Sequence, residues 1–136
     1  MSVIVQTPQE SAPRWLTIAY WVSTGLFGLV MLNGAFGDLT RAEFVMNSIL
    51  GLGFPAYLAT ILGTGKLLGA IAILYPGFYR LKEWAYAGFT FNLLGAVASH
   101  TLAGDPFVES IPPLVLWVLM AVSYTFHYLR TKGQTD

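Results

Sequence analysis

The chain has 136 residues, 55% of them hydrophobic and only 10% charged, with a mean hydropathy of +0.61. A soluble domain carries about 25% charged residues, so this composition points to a bilayer as the principal solvent. Seven Lys plus Arg balance seven Asp plus Glu, and there is no cysteine; this excludes the basic footprint of a nucleic-acid binder and all disulfide, thiol and iron–sulfur chemistry.

A transmembrane helix needs about 20 mostly apolar residues, and four segments qualify. The expected fold is all-α: a polytopic membrane protein forming a four-transmembrane-helix bundle, residues 15–130, between a mobile N-terminal tail over 1–14 and a short C-terminal tail over 131–136. The first span, about 15–36, carries no charge. Its apolar stretch is longer than a signal-peptide core, and it lacks a strong basic leader and a small-x-small cleavage site, so it is expected to be retained. In the following loop, the stretch from Glu43 to Leu50 predicts a short interfacial helix closed by Gly51 and Gly53, serving as a linker or as a lid over a pocket. The second span, about 55–75, opens on Pro55 and stops at Tyr75-Pro76-Gly77. Proline fits a helix start because the amide it lacks there has no intrahelical partner. The third span, about 83–103, opens on Glu83, a carboxylate that the helix dipole favours at an N-terminus. The fourth, about 111–129, starts at Ile111-Pro112-Pro113.

Four spans bring both termini and the second loop to one side. Those segments hold Arg14, Arg80, Lys82, Arg130 and Lys132, against Arg41 alone on the other side. The positive-inside rule then puts both termini in the cytoplasm.

Lys66 is the polar residue that most needs explaining, because a cation at the centre of a span costs about 2.5–3.5 kcal/mol on insertion scales. At 100° per residue it shares a face with Ala59, Gly63, Gly69 and Ala70, opposite Tyr57, Ile61, Leu68, Ile71 and Tyr75. Small residues mark helix contacts in membranes, so Lys66 is expected to face the interior. In the third span Asn92 lies on a similar stripe with Ala85, Gly88, Gly95, Ala96, Ser99 and Ala103. The two small-residue stripes are expected to pack face to face, bringing Lys66 and Asn92 close. No carboxylate lies at that depth in the predicted spans. The ammonium would then need hydroxyls, backbone carbonyls or a ligand carrying a carbonyl or an anionic group. The bland alternative is a buried polar pair that fixes helix register.

His100 and His127 stand at opposite ends of their spans, too far apart in depth for one haem iron. His100 is expected at the outer boundary with Asn33, Asp38 and Asp105, as a polar mouth or a plain interfacial histidine, and His127 in the cytoplasmic basic rim. No pair of His or carboxylates has metal-ligand spacing within the spans, so no metal site is expected.

The run from Phe54-Pro55-Ala56-Tyr57 through Gly63-Thr64-Gly65-Lys66-Leu67-Leu68-Gly69 to Tyr75-Pro76-Gly77-Phe78-Tyr79-Arg80-Leu81-Lys82-Glu83-Trp84 resembles the DoxX-like family. Asn92-Leu93-Leu94-Gly95, Ser99-His100 and the opening Tyr20-Trp21-x-Ser23-Thr24-Gly25 are similar too. The resemblance implies a small four-helix bacterial membrane protein; the family takes its name from a subunit associated with a terminal quinol oxidase, and relatives are linked to membrane oxidoreductase complexes. The family lysine falls on Lys66, its acid–aromatic motif on Glu83-Trp84 and its Ser-His on Ser99-His100. Where many members carry an aspartate in the third span this chain has Asn92, which implies that the lysine has lost a charge partner there.

These readings converge on a small-ligand-binding subunit of a membrane oxidoreductase. Lys66, Asn92, Ser99, His100 and Asn33 are the candidate ligand contacts. With no intrinsic cofactor expected, a quinone-like or isoprenoid apolar molecule is the ligand class and an oxidoreductase the partner; association into a homo-oligomer fits the glycine-rich faces. The alternatives are an assembly protein without a ligand and a small enzyme using Lys66 as a base or Schiff-base amine. A transporter of the small-multidrug type fits least, since its first-span carboxylate is missing. Replacing Lys66 by Met is expected to separate a binding role from a structural one.

Overall fold

The computed structural model describes residues 12–132, so the expected tails over 1–11 and 133–136 lie outside the described residues. Five α-helices follow one another: α1 Arg14–Leu39, α2 Glu43–Gly51, α3 Leu58–Leu74, α4 Tyr79–Leu102 and α5 Ile111–Thr131, with a 3-10 helix, Phe107–Ser110, leading into α5. The helix predicted in the first loop is α2. The boundaries move where local chemistry allows. α1 begins at Arg14 and runs on to Leu39, three residues past the expected end; its last turn holds Gly37 and Asp38, both buried against neighbouring elements. Pro55 forms a turn, its carbonyl accepting from the Leu58 amide at 3.1 Å, and α3 starts after it.

α1 packs against α3 and α5, and α4 packs against the other sides of α3 and α5, so four helices close a ring in the order α1–α3–α4–α5. α2 lies across the ends of α1 and α3, its Ile49 buried. The start of α1 and the end of α5 meet at the opposite end, where the Arg130 guanidinium sits 4.6 Å above the Tyr20 ring. The core joins Phe27 and Met31 of α1, Ala70 and Ile73 of α3, Tyr86, Phe89 and Leu93 of α4 and Met120 of α5. Phe27 and Phe89 meet edge to face, 5.1 Å between centroids, the arrangement that ring quadrupoles favour.

On α3 the expected face is the buried one: Ala59, Gly63 and Ala70 are inside, while Tyr57, Ile61, Leu68, Ile71 and Tyr75 point outward. On α4 the expectation is overturned. Its buried stripe is Lys82, Tyr86, Phe89 and Leu93, and Gly88 and Gly95 are exposed. The reason is steric. Gly69 of α3 admits the Phe89 ring so closely that a Cβ there would stand 2.7 Å from Phe89 Cζ. A large side chain entering a small one buries more area than two small faces in contact.

Lys82 is only 2% exposed, although it stands among charged residues in the sequence. Its ammonium donates to the carbonyls of Ala72 (2.8 Å), Ile73 (3.0 Å) and Tyr75, at the end of α3. The last carbonyls of a helix have no intrahelical donor, and a cation suits the negative end of the helix dipole. Lys82 thus ties the start of α4 to the end of α3. Replacing Lys82 by Met is expected to cost about 1–3 kcal/mol and to lower the unfolding midpoint in detergent, read by circular dichroism.

Candidate functional site

At the α2 end, Lys66 finds a partner that the predicted span boundaries had put out of reach. Its Nζ lies 2.8 Å from Asp38 Oδ2, with the Lys66 side chain 19% and the Asp38 side chain 7% exposed. Side chains on a helix lean toward its N-terminus, so the Lys66 ammonium sits nearer the α2 end than its Cα does. The extra turn of α1 meanwhile carries Asp38 into the bundle. The expectation of a lysine without a carboxylate is therefore corrected. Gly63 makes the approach possible, since a Cβ there would stand 2.9 Å from Asp38 Cβ; the Lys66 chain passes Gly34 at ordinary contact distance, its Nζ 3.7 Å from a Cβ placed there. Asp38 Oδ2 has no hydrogen-bond donor of good angular geometry. The Lys66 contact is an ion pair by distance, off the ideal hydrogen-bond angle.

Beside this pair a cavity of about 560 Å³ opens between α3 and α4. Lys66 and Asn92 both line it, without a hydrogen bond between them among the described residues. The remaining lining is apolar, with Ile61, Leu68, Gly69 and Ala72 from α3 and Trp84, Gly88, Phe89 and Phe91 from α4. The small residues of α4 that fail to pack on α3 are what leave this space. Ser99, His100 and Asn33 are not among its lining residues. The Ser99 hydroxyl donates to the Gly95 carbonyl of its own helix (2.8 Å). His100 Nδ1 pairs with Asp105 Oδ2 at 2.8 Å, a local contact across the turn after α4. Asn33 is exposed.

A second polar group, not anticipated from the sequence, fills the core toward the terminal end. The hydroxyls of Thr24 and Ser123 lie 2.6 Å apart, and those of Tyr86 and Ser123 2.7 Å apart, linking α1, α5 and α4. His127 is 1% exposed and surrounded by the rings of Tyr20, Tyr79, Tyr86 and Tyr124. Its Nε2 lies 3.0 Å from Glu83 Oε1. The expected placement of His127 in the basic rim is thereby overturned, and Glu83 makes no capping hydrogen bond at the start of α4. The face of α5 that carries Met120, Ser123 and His127 turns inward, taking the imidazole with it to a carboxylate one helix away. The spacing of Met120, Ser123 and His127 was the available signal.

α1 and the segment Phe107–Thr131 are long and apolar enough to cross a membrane; α3 is apolar but shorter. With an all-helical fold and a hydrophobic exterior, the molecule is a helical membrane protein. The family model described as "DoxX-like family" matches residues 22–123, and the chain belongs to that family. No curated protein and no solved structure matches it.

The Lys66–Asp38 pair gives a measurable expectation. Lys66→Met strands a buried carboxylate, and breaking such a pair from one side costs about 3–5 kcal/mol. The double variant Lys66→Met/Asp38→Leu is expected to recover most of that loss, checked by unfolding midpoints of the two single variants and the double variant.

Proposed function

We propose that this protein is a multi-pass membrane subunit that binds a small apolar ligand of the quinone or isoprenoid type, in association with a membrane oxidoreductase. The observation that carries the reading is the cavity between α3 and α4, apolar along most of its wall and polar at Lys66 and Asn92. Its volume falls in the range of about 300–1,000 Å³ common for small-molecule sites, which pair apolar walls with a few orienting polar groups. An ammonium has three donors; Asp38 holds it by charge at 2.8 Å, and its N–H groups, which make no hydrogen bond among the described residues, serve a ligand oxygen. Asn92 adds an amide. The partner enzyme would supply the electron carriers, and the ligand would move between them. The terminal end is assigned to the cytoplasmic face on the strength of Arg14, Arg80, Arg130 and Lys132.

A structural role for the polar pair is favoured by one observation, the direct contact of Lys66 with Asp38, which ties α3 to α1. The use of Lys66 as a Schiff-base amine loses support from the same contact, since an ammonium held by a carboxylate has no lone pair to attack a carbonyl.

Lys66→Met does not separate binding from structure, because it also strands Asp38. Gly88→Leu does: Gly88 lines the cavity and a Cβ there meets nothing within 4 Å, so the new side chain projects into the ligand's space from an uncrowded position. Native mass spectrometry of protein extracted gently from its own membranes is expected to show a bound small molecule on the wild type and none on Gly88→Leu, with equal unfolding midpoints. Each protein at the mass of its own bare polypeptide, with no adduct on either, rejects the binding role.

A further inference from the structure

The cavity follows the helix axes, from Ile61 and Asn92 at one end to Ala72 and Leu81 at the other. The eleven-residue separation of Ile61 and Ala72 corresponds to a length of about 16 Å at 1.5 Å per residue. Its polar groups stand toward the α2 end, and the stretch past Gly69 and Trp84 is apolar. An elongated groove with one polar end fits a molecule with one polar head and one apolar chain.

The charge at the polar end selects among such molecules. Lys66 is matched by Asp38 at 2.8 Å, so the site presents donors but no net charge. Arg41, the other cation near that end, directs its Nη2 to the Thr60 hydroxyl at 3.4 Å. A carboxylate or phosphate head would compete with Asp38 for one ammonium and face like-charge repulsion, whereas a neutral carbonyl accepts from Lys66 and Asn92 without displacing anything.

We infer that the site selects neutral, carbonyl-headed single-chain amphiphiles and rejects anionic ones, with the head at Lys66 and Asn92, the chain lying along α3 and α4 toward Trp84, and Asp38 as the residue that sets the discrimination. This rests on the binding role proposed above.

The test uses the full chain in lipid nanodiscs and two probes of matched chain length, an alkyl benzoquinone and a saturated fatty acid, with binding followed by equilibrium dialysis. Wild-type protein is expected to bind the quinone on the order of tenfold more tightly than the acid. In Asp38→Asn, which keeps an oxygen beside Lys66 and removes the negative charge, the acid is expected to gain on the order of tenfold and the quinone to change little. Saturable binding that Gly88→Leu abolishes, but with the acid bound as tightly as the quinone by the wild type, overturns the inference and leaves the binding role standing. If neither probe binds saturably, both fall. Should Asp38→Asn fail to fold, the wild-type comparison of the two probes decides alone.

Discussion

The ammonium of Lys82 inside the end of α3 is the contact on which the arrangement of the other helices rests. α3 ends at Leu74, just before Tyr75-Pro76-Gly77, so its last carbonyls have no intrahelical donor, and a buried carbonyl left unpaired is costly. Lys82 meets three of them at once. Because Lys82 belongs to the first turn of α4, the same contact fixes where α4 begins beside α3 and how far it is rotated. Together with the seat of Phe89 on Gly69, that rotation turns Tyr86 and Phe89 inward and leaves Gly88 on the groove side.

From this rotation follow the two polar regions. Toward the terminal end, Tyr86 reaches Ser123 and, through it, Thr24, while Glu83 meets His127. Hydrogen bonds of this kind hold membrane helices together where hydrophobicity supplies no preference between a neighbouring helix and lipid. Toward the α2 end the space between α3 and α4 is bounded by Lys66 and Asn92. The terminal end is thus closed by its own hydroxyls, whereas the α2 end retains donors with capacity to spare. A binding role belongs with the second arrangement.

The resemblance implied that, with Asn92 in the third span, the lysine lacks a charge partner there. Lys66 has one all the same, Asp38 of α1. Asn92 is thereby released to face the cavity as a neutral amide, and the charge balance of the site is complete within the protein.

Much of this architecture was legible in the chain. The shortage of charge and the four apolar stretches, each bounded by Pro, Gly or charged residues, are local properties, and they indicated helices within a few residues of α1, α3, α4 and α5. The buried face of α3 was legible too, because Ala59, Gly63 and Ala70 recur at helical spacing against bulky residues opposite, and small size is the one signal that distinguishes a helix contact from a lipid contact. On α4 that signal misled: its glycines border a cavity, and large residues fill the core, a choice that depends on Gly69 of a different helix. The partners of Lys66, Lys82 and His127 were likewise hidden. Each is an acceptor brought up by another helix, Asp38 on α1, the Ala72 and Ile73 carbonyls on α3 and Glu83 on α4. Helical periodicity assigns a side chain to a face, but its partner is decided by the depth and rotation of the neighbouring helix, and these arise only when all the helices pack.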